Sequence, residues 1–77
     1  MEDSLIRVFA EVLLVDELSL SDESSPNSVA HWDSLAAMRL VVAIEEGYDV
    51  ELSTKEIMKM SSIGFARAVL KSKGVDI

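Results

Sequence analysis

The side chains best suited to chemistry in this 77-residue chain occur together at His31-Trp32-Asp33-Ser34-Leu35, where a polar segment gives way to an apolar one. Asp33 is a favourable helix N-cap, so Ser34 is predicted to be the first residue of a helix. Backbone N–H groups at that position have no helical acceptor, and they attract anions, phosphate in particular. The exposed hydroxyl of Ser34 is therefore well placed to carry a phosphodiester.

The sequence offers no group that would activate Ser34 as a catalytic nucleophile. The chain has one His and no Cys, and no Lys is spaced to serve as a base. A small enzyme built from His31, Asp33 and Ser34 is therefore disfavoured, as is a metal site, and His31 is predicted to be a loop residue. On local chemistry alone, an ordinary helix cap is the favoured interpretation of Asp33 and Ser34.

Composition limits the class of protein. With 77 residues, 49% of them hydrophobic, the chain can form one small domain with an aliphatic core. The net charge of −7 disfavours nucleic acid, a helix-turn-helix DNA binder included, and favours partners rich in Lys and Arg. We expect no signal peptide and no membrane span, hence a cytoplasmic protein. We also expect a monomer. The Met start favours a protein that stands alone.

The elements that must position Ser34 follow from hydrophobic spacing and capping residues. The pattern predicts an all-α four-helix bundle with helices at about 4–15, 34–46, 54–60 and 62–73. Asp3 or Ser4 starts the first helix, a Ser53/Glu56 capping box starts the third, and Gly47 and Gly74 end the second and fourth. The long connection 16–33 is expected to return three apolar side chains to the core, namely Leu18, Leu20 and Val29.

The second predicted helix is apolar on two sides. Leu40 and Ile44, with Ala37 and Val41 nearby, form the side expected to face the core. The other side is bordered by charge and is expected to be an exposed docking surface, because so small a domain cannot surround a helix. A helix buried on both sides is the alternative. The residues of the exposed side are Leu35, Met38 and Val42, with Arg39, Glu45 and Glu46 at its border.

Asp33-Ser34-Leu35, opening an apolar helix that ends in Glu45-Glu46, resembles the signature of acyl carrier proteins. Members of that family are small acidic four-helix bundles with a long first loop and a short third helix, which matches the predicted element order along nearly the whole chain. The segment 43–52 also resembles the family's usual approach to its third helix. The resemblance implies that a separate phosphopantetheinyl transferase attaches 4'-phosphopantetheine from coenzyme A to Ser34.

The resemblance also implies roles for other residues. A terminal thiol on the cofactor would hold cargo as a thioester, and the chain would be a carrier without catalytic activity. Asp33 and Leu35 flank the attachment point. The face toward acyl-loading and acyl-using enzymes, which carry basic docking patches, would consist of Leu35, Met38, Arg39, Val42, Glu45 and Glu46. An acyl chain would shelter between helices against Ile44, Leu52, Ile57, Met60 and Ala66.

The sequence departs from the familiar fatty-acid carriers in three places. The residues before Asp33 are Ala30-His31-Trp32 instead of Asp-Leu-Gly, Ala36 and Ala37 follow Leu35 where those carriers have an acidic residue, and Arg39 replaces another acidic residue. A Trp in this position looks more like carriers of specialised pathways, polyketide pathways among them, although it could equally be a structural plug for the loop. A small acidic interaction module without a prosthetic group remains the alternative function.

Overall fold

A computed structural model of the protein describes residues 3–77. Its four helices are α1 (Ser4–Leu13), α2 (Ser34–Tyr48), α3 (Thr54–Met58) and α4 (Ile63–Ser72), and a 3₁₀ turn at Glu17–Ser19 interrupts the first connection. No strand occurs in the part of the chain that the structure describes. The predicted all-α architecture, with a long first connection and a short third helix, is confirmed.

The capping predictions are confirmed in atomic detail. The Asp3 carboxylate accepts the backbone N–H groups of Leu5 and Ile6 at the start of α1. At α3 the Ser53 hydroxyl accepts the N–H of Glu56, and the Glu56 carboxylate accepts the N–H of Ser53, each at about 3 Å. These bonds satisfy donors that a helix start leaves without acceptors.

Three helices end two residues away from the predicted position, and α3 is one of them because it stops at Met58. α2 continues through Gly47 to Tyr48 and ends at Asp49, whose φ of 54° is left-handed. Asp tolerates this conformation better than most residues because its short polar side chain bonds locally. Tyr48 therefore belongs to the helix, and its hydroxyl lies 2.7 Å from the Ser4 hydroxyl. This contact places the start of α1 beside the end of α2, so the two helices run antiparallel.

α1 ends at Leu13, earlier than predicted, because Leu14 also adopts a left-handed conformation with φ 59°. Such a conformation costs a residue with a Cβ atom about 1–2 kcal/mol. The Leu14 side chain is 82% exposed, so burial offsets little of that cost.

We expect Leu14→Gly to raise the free energy of unfolding by about 1 kcal/mol, since glycine adopts this backbone conformation without strain. Urea unfolding measures the change. Leu18→Gly is the matched control, because Leu18 is also exposed but has an ordinary φ, and it should leave stability unchanged or lower it. A lower stability for Leu14→Gly would contradict the expectation and would show that the leucine side chain packs productively.

The core is aliphatic apart from one pair of aromatic rings. Leu40 and Ile44 of α2 are almost completely buried, as predicted, and Val29 returns to the core from the long connection. Leu20 packs against the core, but the same prediction for Leu18 is wrong, because its side chain is 94% exposed on the 3₁₀ turn. The buried core residues of the other helices are Leu5, Phe9, Leu13, Ile63, Ala66, Val69 and Leu70.

Arg67 of α4 holds the long connection against the bundle. Its guanidinium donates to Asp22 at 2.9 Å and to Asp3 at 2.6 Å. The hydrogen bonds that Arg67 donates to Asp22 and Asp3 raise the pKa of Arg67. Burial of the Asp3 carboxyl opposes ionisation, but the bonds from Arg67 and the start of α1 outweigh it and lower the pKa of Asp3. The connection is therefore fixed to α1 and α4 before it reaches Ser34.

Candidate functional site

Ser34 is the first residue of α2, and its side chain is exposed. The Asp33 carboxylate accepts the N–H of Ala36 at 2.9 Å, and the Asp33 carbonyl accepts the N–H of Ala37. Among residues 3–77, no hydrogen bond occupies the N–H groups of Ser34 and Leu35. Two free donors and the positive end of the helix dipole therefore lie beside the hydroxyl, which is an arrangement that favours an anion.

Trp32 fixes the backbone that leads into Ser34. Its side chain is 5% exposed, and its ring lies 5.3 Å from that of Phe9 at an interplanar angle of 59°. The backbone N–H of Trp32 donates to the backbone carbonyl of Val29, and the Val29 side chain is buried as well. These contacts support the interpretation of Trp32 as a plug that holds the connection on the bundle.

His31 and Ser34 lie on either side of the cap residue Asp33 in the sequence but are not joined to each other in the described part of the chain. His31 is exposed, and no hydrogen bond of the described residues joins it or any other side chain to the Ser34 hydroxyl. Residues 3–77 contain no group of three or more His, Asp or Glu placed to hold a metal ion. Over the same residues, none of the helices combines the length and the apolar character that a bilayer span requires.

The exposed side of α2 has the geometry that the spacing predicts. Leu35, Met38 and Val42 are 60%, 69% and 53% exposed, whereas Leu40 and Ile44 on the opposite side are each 1% exposed. The alternative of a helix buried on both sides is wrong. An apolar stripe of this kind is typical of a docking surface, although its use by partner enzymes stays a prediction.

Glu45 departs from its predicted place among the exposed residues of this face. It is half-buried, and its Oε2 accepts the backbone N–H of Leu52 at 2.9 Å. The carboxylate thus secures the connector between α2 and α3, and a Glu45→Lys variant would disturb that connector as well as any partner contact. Glu46 and Arg39 are exposed, which makes Glu46 the better probe of acidic docking.

The residues predicted to line an acyl pocket lie in two kinds of surroundings. Ile57 and Met60 line a small cavity between α2 and α3, whose other walls are Trp32, Ala37, Leu40 and Val41. Ile44, Leu52 and Ala66 lie instead in the packed core. The cavity volume is about 20 Å³, which is room for about one water molecule. Any acyl chain would have to open this space. The sequence placed Ala37, Leu40 and Val41 on the core side, but it gave no sign that they line the cavity.

A second concave surface lies directly beside Ser34, on the side of α2 that faces α1. Its volume is about 170 Å³. Asp33 and Leu35 line it on either side of Ser34 in the chain, and Arg39 lines it one helical turn further along. Sequence reasoning missed this groove, because three of its eight lining residues come from the end of α1. The remaining lining residues are Val12, Leu13, Leu14, His31 and Ala36.

Fold and site together define a class of protein, namely a small acidic helical domain that presents an exposed serine at an anion-favouring helix start. Residues 3–64 match the protein family described as phosphopantetheine attachment site. The chain is also 35% identical over 57 residues to the acyl carrier protein of Clostridium acetobutylicum, and the alignment covers 74% of each chain. The chain belongs to the acyl carrier protein family and carries covalently attached 4'-phosphopantetheine.

The residues around Ser34 fit this group. The hydroxyl is open to a modifying enzyme, and the free N–H groups of Ser34 and Leu35 are suitable donors for phosphate oxygens. When bound, 4'-phosphopantetheine supplies a terminal thiol that holds acyl groups as thioesters, which the chain cannot do alone since it has no Cys. As a carrier, the domain interacts with partner enzymes.

Proposed function

We propose that Ser34 is the attachment residue and that the protein carries thioester-bound intermediates between enzymes of a specialised biosynthetic pathway of the fatty-acid or polyketide kind. The observation that carries the proposal is the exposed hydroxyl at the first residue of α2, beside two N–H groups without acceptors. Intact mass measurement tests it after the apo protein has been incubated with coenzyme A and a promiscuous phosphopantetheinyl transferase.

The modification needs little from the protein beyond position. The Ser34 Oγ forms a bond to the pantetheine phosphorus of coenzyme A, the phosphorus–oxygen bond to adenosine bisphosphate breaks, and the hydroxyl proton leaves to a base. That base belongs to the transferase, because no side chain of residues 3–77 is hydrogen-bonded to Ser34. The role of the protein is to hold the hydroxyl still on a capped helix and to stabilise the phosphodiester through the helix start.

Carriage by tethering explains how so small a domain serves chemistry performed elsewhere. A cargo attached through a flexible arm meets each docked enzyme at a high effective concentration, so no partner has to capture the free intermediate. Weak, exchangeable docking suits this task, and the limited apolar stripe of α2 with its charged border is of that kind. We propose a cytoplasmic monomer whose partners present apolar and basic surfaces to this face.

Met38→Ala is expected to lower kcat/KM for modification by the transferase severalfold without changing the thermal unfolding temperature. Met38 is 69% exposed at the centre of the stripe, so it can contribute to docking but little to the core. Met58→Ala is the matched control, because Met58 is a similarly exposed methionine on α3. Equal losses in the two variants, or unfolding of Met38→Ala, would contradict the assignment of the stripe as the docking surface.

The exposed stripe also favours a second candidate, a helical interaction module that binds proteins without a thioester cargo on Ser34. Both candidates use Leu35, Met38 and Val42 for docking. They differ at Ser34, since only the carrier requires its modification. A wild-type mass that several transferases leave unchanged would favour the interaction module.

A further inference from the structure

We propose that the groove between the end of α1 and the start of α2 binds the cargo, and that this cargo is an acyl unit with a free carboxylate held by Arg39. This inference rests on the proposed attachment at Ser34. The arm would begin at the rim of the groove, since Asp33 and Leu35 both line it. Side chains of a helix lean toward its N-terminus, so Arg39 leans toward the end of α2 where the arm is attached.

The charge of the groove selects an anion. Arg39 is the only Lys or Arg between Glu11 and Glu51, a stretch with ten acidic residues. Its side chain is exposed, and among residues 3–77 no carboxylate forms an ion pair with it. The one acid in the groove, Asp33, is engaged by the N–H of Ala36. An arginine without a partner, beside apolar walls, suits bidentate binding of a carboxylate.

The size of the groove favours it over the cavity between α2 and α3. At about 170 Å³, it has the volume of roughly five or six water molecules, which suits a short acyl unit. The cavity near Ile57 and Met60 has about 20 Å³. Leu14 and Leu35 supply exposed apolar walls to the groove, and Leu14 does so from a strained backbone conformation. Strain retained at an exposed residue is often associated with function.

A larger open depression on the other side of Leu14 does not suit an acidic cargo. Its volume is about 500 Å³, but its lining includes Glu11 and Glu17. The Arg7 guanidinium there is already 3.4 Å from the Glu17 carboxylate. A carboxylate entering this depression would meet two like charges, and the groove at Arg39 is therefore the favoured site.

The test compares two cargoes of equal length that differ only at the terminal group. A promiscuous transferase loads the chain from coenzyme A, butyryl-coenzyme A or succinyl-coenzyme A, and intact mass confirms each product. We expect ¹H–¹⁵N spectra of the succinyl form to show shifts of the Arg39 Nε–H and of the Leu14 and Leu35 amides, relative to the butyryl form. The Leu14 and Leu35 shifts should disappear in Arg39→Gln, and all three shifts should persist in Lys71→Gln, which removes an exposed base on α4.

Three results would overturn the proposal. The first is no difference between the succinyl and butyryl forms, and the second is the same Arg39 shift in the form loaded from coenzyme A, which carries no acyl group. The third is a set of succinyl-specific shifts centred on Ile57 and Met60. The second result would show that Arg39 binds the phosphodiester. Failure of loading would count against attachment at Ser34 and is visible in the mass before any spectrum is recorded. The two proposals therefore fail separately.

Discussion

Ser34→Ala is expected to abolish modification by the transferase completely, while the wild-type chain gains one phosphopantetheine. The substitution removes the only atom proposed to bond to phosphorus and leaves the Asp33 cap on Ala36 in place. Alanine is also the most favourable helix residue, so α2 should form normally. Intact mass after incubation with coenzyme A measures the outcome, and circular dichroism confirms that the variant is folded.

Ser61→Ala is the matched control for this experiment. Ser61 is exposed and precedes a helix, yet its hydroxyl makes no hydrogen bond among the described residues. This variant should be modified as fast as wild type. A folded Ser34→Ala protein that still gains the cofactor would place the attachment elsewhere and would remove the basis of the proposed function.

Of the substitutions proposed for this protein, Trp32→Ala is expected to have the largest effect on stability. It should lower the free energy of unfolding by about 3–5 kcal/mol, the usual cost of truncating a large aromatic side chain in a core. The indole fills the space between Phe9 and the cavity bordered by Ile57 and Met60. The total free energy of unfolding of a native protein is roughly 5–15 kcal/mol. Removal of the ring should therefore leave a marginal fold in which the segment before Ser34 is no longer fixed.

Urea unfolding compares Trp32→Ala with His31→Ala, a variant of the adjacent exposed residue. The His31→Ala substitution should change the free energy of unfolding by less than about 0.5 kcal/mol. Trp32→Phe should fall between the two, because it keeps part of the buried ring. If Trp32→Ala were as stable as His31→Ala, the indole would not be the element that positions the attachment site, and its role would have to lie in recognition by partners.

Local features of this chain were predictable from its sequence. N-caps at Asp33 and Ser53 depend on a side chain and an N–H three residues away, so a short-range pattern is sufficient to locate them. For the first helix the pattern left Asp3 and Ser4 open, and the structure shows Asp3 as the cap. The two sides of α2 follow from helical periodicity combined with the small size of the domain. The order of the helices and the position of Ser34 at a helix start could be predicted for the same reason.

Features that depend on contacts between elements were decided by the tertiary structure. Leu18 was predicted to be in the core but is exposed, and Glu45 was predicted to be exposed but binds the backbone N–H of Leu52. Hydrophobicity and charge do not show which contacts a side chain finds in the folded chain. The groove at Arg39 exists only because Leu14 ends α1 against the start of α2. Spacing along one helix specifies which residues share a face, but the surface formed with a second helix depends on how the two pack.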